Sequence, residues 1–277
     1  MHLTKSDILK RLAVIGEQGE NLLNIGEAAL LLANLDLPTN SFAQYQDELN
    51  FIASDLSDAS REAKSLPDWI TALSETLYKQ HRFQGDVETY DDPQNANLMR
   101  VIDRRKGLPV ALGILAIHAG RNQGWEIAGL NFPGHFLLRL RKSGEYALID
   151  PFNEARLVVN EDLQKIYWRI YNQKMPQQSD FVQSVSDRDI LVRLQNNIKI
   201  RALREGDKER AIKILQSIVL ITPTSVEFLA ELAMLEASSG HIKSAVERLE
   251  RFIERNPDIS NASSILSLKE QLNRSLN

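Results

Sequence analysis

The stretch Arg104–Phe152 constrains the fold more than any other part of the chain. It opens with a run from Pro109 to Ala119 that is apolar apart from Gly113 and His118. Proline suits the first turn of a helix, where its missing N–H costs nothing, and Gly124 suits the position just past a helix end. The spacing therefore predicts a buried helix from Pro109 to about Asn122. The run is far short of the roughly 20 apolar residues that a membrane span needs. Three short strand candidates follow, Glu126–Asn131, Phe136–Arg141 and Tyr146–Asp150, the last two joined by a turn at Lys142–Glu145. A helix followed by an antiparallel meander predicts an α+β core in a chain that is mostly α.

Helical periodicity dominates what comes before. Ser6 or Thr4 can cap a first helix carrying Ile8, Leu9, Leu12 and Ile15. Leu22–Leu35 reads as a second helix, apolar over much of its circumference and hence central. Residues 37–40 interrupt it, Ser41 begins a third helix with Phe42, Tyr45, Leu49 and Ile52, and Pro67 opens a fourth with Trp69, Ile70, Leu73 and Leu77. Residues 84–97 read as loop, Asn97–Arg105 as a short helix, and Glu161–Asn172 as a longer one. The polar connector 173–187 is the expected boundary. The reading divides the chain into a helical region 1–85 packing on the core, the core 86–180, and a helical tail 187–277.

The tail repeats itself. Gly206 and Gly240, Ala211 and Ala245, and Pro223 and Pro257 are each 34 residues apart. This resembles the tetratricopeptide repeat (TPR), whose period is 34. Glycine turns between paired helices, alanine lets them approach, and proline ends the second of each pair. Residues 261–275 are then a capping helix, and a pair this short is expected to lean on the α+β core.

Lys and Arg number 33 against 37 Asp and Glu, a net charge of −4, so no basic field recruits nucleic acid or an anionic membrane. There is no cysteine, which excludes disulfides, thiolate metal sites and a cysteine nucleophile. The N-terminus reads as a charged amphipathic helix rather than a signal peptide, and a cytoplasmic protein is expected. Phosphate-binding glycine motifs and H-x-x-x-H spacing are absent, so neither cofactor nor metal is expected.

Three segments in order, GLPVALGILAIHAGRNQGW, NFPGHFLLR and LIDPF, resemble the transglutaminase-like family, whose core is papain-like. They are most similar to its bacterial SirB-type branch, which joins such a core to C-terminal TPRs. The resemblance implies a cysteine opening the central helix, a histidine on the next strand and an aspartate on the strand after. A thiolate at a helix N-terminus is stabilised by the dipole and a neighbouring imidazole, and the carboxylate fixes the imidazole tautomer. By motif the histidine is His135 and the aspartate Asp150, while Pro109 stands where the cysteine is expected. Leu108, Val110, Ala111 and Leu112 supply no hydroxyl or thiol either.

Other candidates have plainer readings. His118, inside the apolar helix, is expected to be a core residue, and His81 has no evident partner. Asp91 and Asp92 form only a loose likeness to a calcium loop, without its glycine and terminal glutamate. Arg100, Arg104, Arg105 and Lys106 make a local basic run that reads as a solvated helix face more readily than as an anion site. The expected function is that of a pseudoenzyme scaffold, binding a protein or peptide through the TPR helices 188–277. The alternative is a hydrolase or acyl-transfer-related enzyme using His135 and Asp150 with water or a non-cysteine nucleophile.

Overall fold

The computed structural model describes residues 3–19, 23–38, 41–176, 183–256 and 262–274. Leu22, residues 39–40 and 177–182, Pro257 and the two ends of the expected capping segment lie outside them. The chain forms two compact units: Met1–Thr4 with Gly19–Leu194, and Lys5–Gln18 with Gln195–Asn277. Helix α1 (Lys5–Glu17) thus belongs to the second unit.

In the first unit, α2 (Ile25–Asp36) is capped by Asn24, whose side chain accepts the Glu27 N–H, and is buried at Ile25, Gly26 and Ala28–Asn34. Helix α3 (Phe42–Ala59) buries Phe42, Leu49, Ile52, Ala53 and Leu56. A reciprocal cap between Ser65 and Asp68 starts α4 (Leu66–Ser74), which runs on into a π-helical turn, Glu75–Gln80. After α5 (Leu98–Arg104) comes α6 (Pro109–Asn122), buried continuously from Val110 to Gly120. Each fully buried Leu or Ile contributes about 1.5–3 kcal/mol by leaving water, which explains why this helix is central.

Two strands of two residues each, β1 (Gln84–Gly85) and β2 (Lys106–Gly107), pair in parallel just before α6. The meander has four strands rather than three: β3 (Glu126–Phe132), β4 (His135–Lys142), β5 (Glu145–Asp150) and β6 (Arg156–Val158), antiparallel and in chain order. Three residues are too few for β6 to show a period of two. On one face Phe136 and Leu138 meet Gly113 of α6. On the other, Leu130, Phe132, Leu137, Leu148 and Val158 cluster with Leu163 and Tyr167 of α7 (Asn160–Tyr171). The core is therefore helix, sheet and helix in layers.

The second unit takes up the end of α8 (Asp187–Arg204), with α9 (Lys208–Ile221), α10 (Val226–Ser238), α11 (Ile242–Arg255) and α12 (Ala262–Arg274). Gly206 and Gly240 turn the chain at φ 78° and 86°, a region open to glycine. Ala211 and Ala245 are fully buried, and Pro223 follows the end of α9. Helix α12 covers the last pair, burying Ile265 and Leu272 against Leu229, Leu249 and Phe252. Helix α1, expected on the α+β core, packs against α9 instead, burying Ile8 and Leu12. Periodicity identifies an apolar face but not the surface that receives it.

Candidate functional site

Helix α6 starts as the sequence predicts. Leu108 is extended (φ −71°, ψ 159°), Pro109 fills the first helical position, and the Leu108 N–H donates to the Asn95 carbonyl at 2.9 Å. One step back, Gly107 pairs with Gly85, and Gly85 lies flat against the Phe152 ring and carbonyl. This packing ties the start of α6 to the loop that leaves β5. The first turn of α6 offers no side-chain nucleophile.

His135 is the first residue of β4 and Asp150 the last of β5, and the structure joins them: Nε2 lies 3.1 Å from Oδ2. Asp150 is 2% exposed. It also accepts the Phe152 N–H at 2.9 Å and the Asn153 amide at 2.7 Å. Burial alone would raise its pKa, but the hydrogen bonds from His135, Asn153 and Phe152, with the attraction to His135, outweigh it and hold the group below the usual carboxylate range. The Tyr78 hydroxyl donates to the Pro151 carbonyl at 2.7 Å. Burial, then the charges of Asp150 and Glu154, raise this phenol well above its ordinary range and keep it a donor. With Nε2 turned to the carboxylate, Nδ1 is the imidazole nitrogen left for another partner, and the side chain is 29% exposed.

Tyr78, Asn153 and Gly85 were not singled out from the sequence, and Phe152 entered only as the end of the LIDPF motif. Asn153, directly after Asp-Pro-Phe, is the one with a local signal, since Asx side chains bond back to nearby groups. Tyr78 is 73 residues from its acceptor and gave none.

The other candidates settle differently. His118 is buried and its pKa is lowered by that burial, with Asn122 as a near neighbour at 3.5 Å, in keeping with a core role. His81 does have a partner: Asp55, 26 residues earlier, lies 2.8 Å from its Nε2, and the Phe51 ring packs edge-on at 5.5 Å. The basic run is neutralised by carboxylates, three of them on other segments and one within α5. Arg104 meets Asp86 at 3.1 Å, Lys106 meets Glu88 at 3.1 Å, Arg105 pairs with Glu48, and Arg100 pairs with Asp103 at 3.2 Å. Burial would raise the Asp86 pKa, but bonds from Thr89 and Asn95 and the charge of Lys106 lower it to about 2. Asp92 caps the 3₁₀ turn Pro93–Ala96, accepting the Gln94 N–H at 2.9 Å. Among the described residues no group of three or more His, Asp or Glu could hold a metal ion, and no helix is long and apolar enough to cross a membrane.

On the repeat helices, Lys199 of α8 is held by both carboxylate oxygens of Glu231 on α10, at 2.6 and 2.8 Å. Arg248 and Gln216 converge on buried Glu236. Apolar side chains stand out from the first helix of each pair and from the cap: Ile200 and Leu203 on α8, Met234 on α10 and Leu266 on α12, all well exposed. Ile200 and Met234 are one 34-residue period apart.

Comparison with known proteins bears on both halves. Residues 43–196 match the transglutaminase-like superfamily, and residues 198–273 match the tetratricopeptide repeat. A UPF0162 protein of Xylella fastidiosa is 26% identical over 249 residues, 89% of each chain. One from Vibrio cholerae is 30% identical over 207 residues, 73% of this chain and 74% of that one. Human F-box only protein 21 is 33% identical over 84 residues, 30% of this chain and 13% of that protein. With the His135–Asp150 strand pair and the 34-residue helical pairs in place, the chain belongs to the transglutaminase-like superfamily, in the SirB-type branch that carries C-terminal tetratricopeptide repeats.

Proposed function

We propose that this protein is a cytoplasmic, non-catalytic scaffold in which a transglutaminase-like core without a nucleophile is joined to TPR helices that bind a protein partner. The observation that carries the reading is Pro109 at the first position of α6, in a chain with no cysteine. The Pro109 nitrogen is a tertiary amide whose lone pair is delocalised into the Leu108 carbonyl, so it can neither attack an acyl carbon nor be activated to do so. The His135–Asp150 pair then braces the end of the meander, since Asp150 ties β4 to the 152–153 loop. Exposed Ile200, Leu203, Met234 and Leu266 are the side chains offered to a partner, as aliphatic rows on helical repeats fit an amphipathic peptide.

One observation favours the alternative, a hydrolase acting through water: the His135 ring is partly open to solvent and is oriented by an ionised carboxylate. Two assays separate the readings. Offered a glutamine peptide with an amine donor, and a panel of activated esters, the full chain should give no turnover above the blank. Turnover abolished by His135→Ala would overturn the scaffold reading. For binding, quantitative capture with wild type and with Ile200→Glu/Met234→Glu should lose the same set of proteins in the variant. Recovery of an unchanged set would remove the repeats from the proposal.

A further inference from the structure

Helix α7 presents two unlike faces. Leu163 and Tyr167 are buried against the sheet. Off that stripe, Trp168 is 58% exposed, while the partly open Ile170 packs on the turn at Gly134 and Tyr171 on Tyr167. The helix ends at Asn172, whose left-handed conformation (φ 54°) lets its N–H bond the Trp168 carbonyl at 2.8 Å. The chain then turns back, and the Met175 N–H donates to the Gln164 side chain at 3.2 Å. The returning segment and the helix border an open, shallow hollow of about 480 Å³ lined by Gln164, Lys165, Trp168, Arg169 and Lys174.

That lining holds three cations and no acid. None of the three meets a carboxylate among the described residues, in contrast to Arg100, Arg104, Arg105 and Lys106, each of which does. An open indole beside an unpaired Arg is the composition of an interaction hot spot, and Lys165 and Lys174 add positive charge to it in a chain whose net charge is −4. We propose that the α7 hollow docks an acidic segment of another protein, its carboxylates meeting Lys165, Arg169 and Lys174 while one of its apolar side chains lies on Trp168. A nucleic acid strand fits less well. Successive bases want a row of free rings, and the next ring, Tyr171, is already packed on Tyr167 at 4.6 Å. The overall acidity also opposes a long polyanion. This site lies on the first unit and stands or falls separately from the repeat helices.

The test is selection of a random phage-displayed peptide library on the full chain, in parallel on Trp168→Ala and on Lys165→Glu/Arg169→Glu. The expected enrichment is of Asp- and Glu-rich peptides around a bulky apolar residue, absent from both variants. A synthetic copy of an enriched peptide should bind each variant at least about tenfold more weakly. Lys165→Gln keeps the aliphatic stem and should weaken it about threefold, which guards against misfolding of the charge reversal. Failure to enrich any peptide in an α7-dependent way, or enrichment of neutral or basic ones, overturns the proposal. So does α7-dependent binding of an oligothymidylate with no acidic peptide recovered.

Discussion

Gly85→Ala tests whether the base of α6 is coupled to the His135–Asp150 pair. Gly85 lies in β1 and has no positive φ, so alanine fits its backbone. On backbone grounds alone the change would stabilise by about 0.4–1 kcal/mol, through a less flexible unfolded chain. The space says otherwise. An added methyl would stand 2.6 Å from two Phe152 ring carbons and 2.7 Å from the Phe152 carbonyl oxygen. The carbonyl belongs to the backbone and cannot swing aside. Overpacking of this kind costs about 1–3 kcal/mol, enough to reverse the sign. For a unit of this size the unfolding transition should fall by about 2–4 °C for each kcal/mol. The displacement also pulls at the Phe152 N–H bonded to Asp150, so imidazole and amide NMR signals at 135 and 152 should move together. A Gly85→Ala protein as stable as wild type, with those signals unmoved, would refute the coupling.

Asp150→Asn removes an ionised acceptor that serves three donors and should destabilise the first unit by about 1–3 kcal/mol at neutral pH, read by urea unfolding. The Asp150 pKa is lowered in the folded chain, so its contribution is present above the unfolded value of 3.8 and lost as pH falls further. Wild type and variant should therefore converge in acid, and a gap that persists at low pH would contradict the assignment. His118 is held neutral by burial, so below pH 6.5 the unfolded chain takes up the proton first and stability falls with pH. His118→Gln should flatten that slope in a pH series of unfolding curves. Gly16→Ala would set a methyl against the Leu220 carbonyl and should lower the second unit's stability by about 1–3 kcal/mol. Calorimetry showing no loss would disprove the close approach of α1 to α9.

Much of this was legible in sequence where a signal is local. Pro109 and Gly124 bracket α6 because proline and glycine act on their own backbone. The glycine and alanine markers of the 34-residue period sit at matching places because each repeat solves the same packing problem. His135 and Asp150 came from motif, and the ladder of β4 and β5 brings them together. What stayed hidden depends on partners distant along the chain. His81 finds Asp55, and the basic run finds Glu48, Asp86 and Glu88, only once α3 and the 84–92 segment have folded beside them. The amphipathic pattern of α7 sets Trp168 off the apolar stripe, but it does not reveal the hollow that the 173–176 segment forms beside it.

The membership of α1 bears on how the chain comes to be folded. Residues 5–18 leave the ribosome well before the helix they pack against, which starts at Lys208. At about 5–20 residues per second, the intervening stretch takes on the order of 10–40 s to synthesise. Throughout that interval Ile8 and Leu12 lack the α9 surface that buries them, and Gly19–Leu194 is complete before that surface exists. Truncation after Leu194 makes the wait permanent, so a fragment ending there should carry an apolar, unburied α1 face and tend to aggregate unless residues 5–18 are removed with the tail.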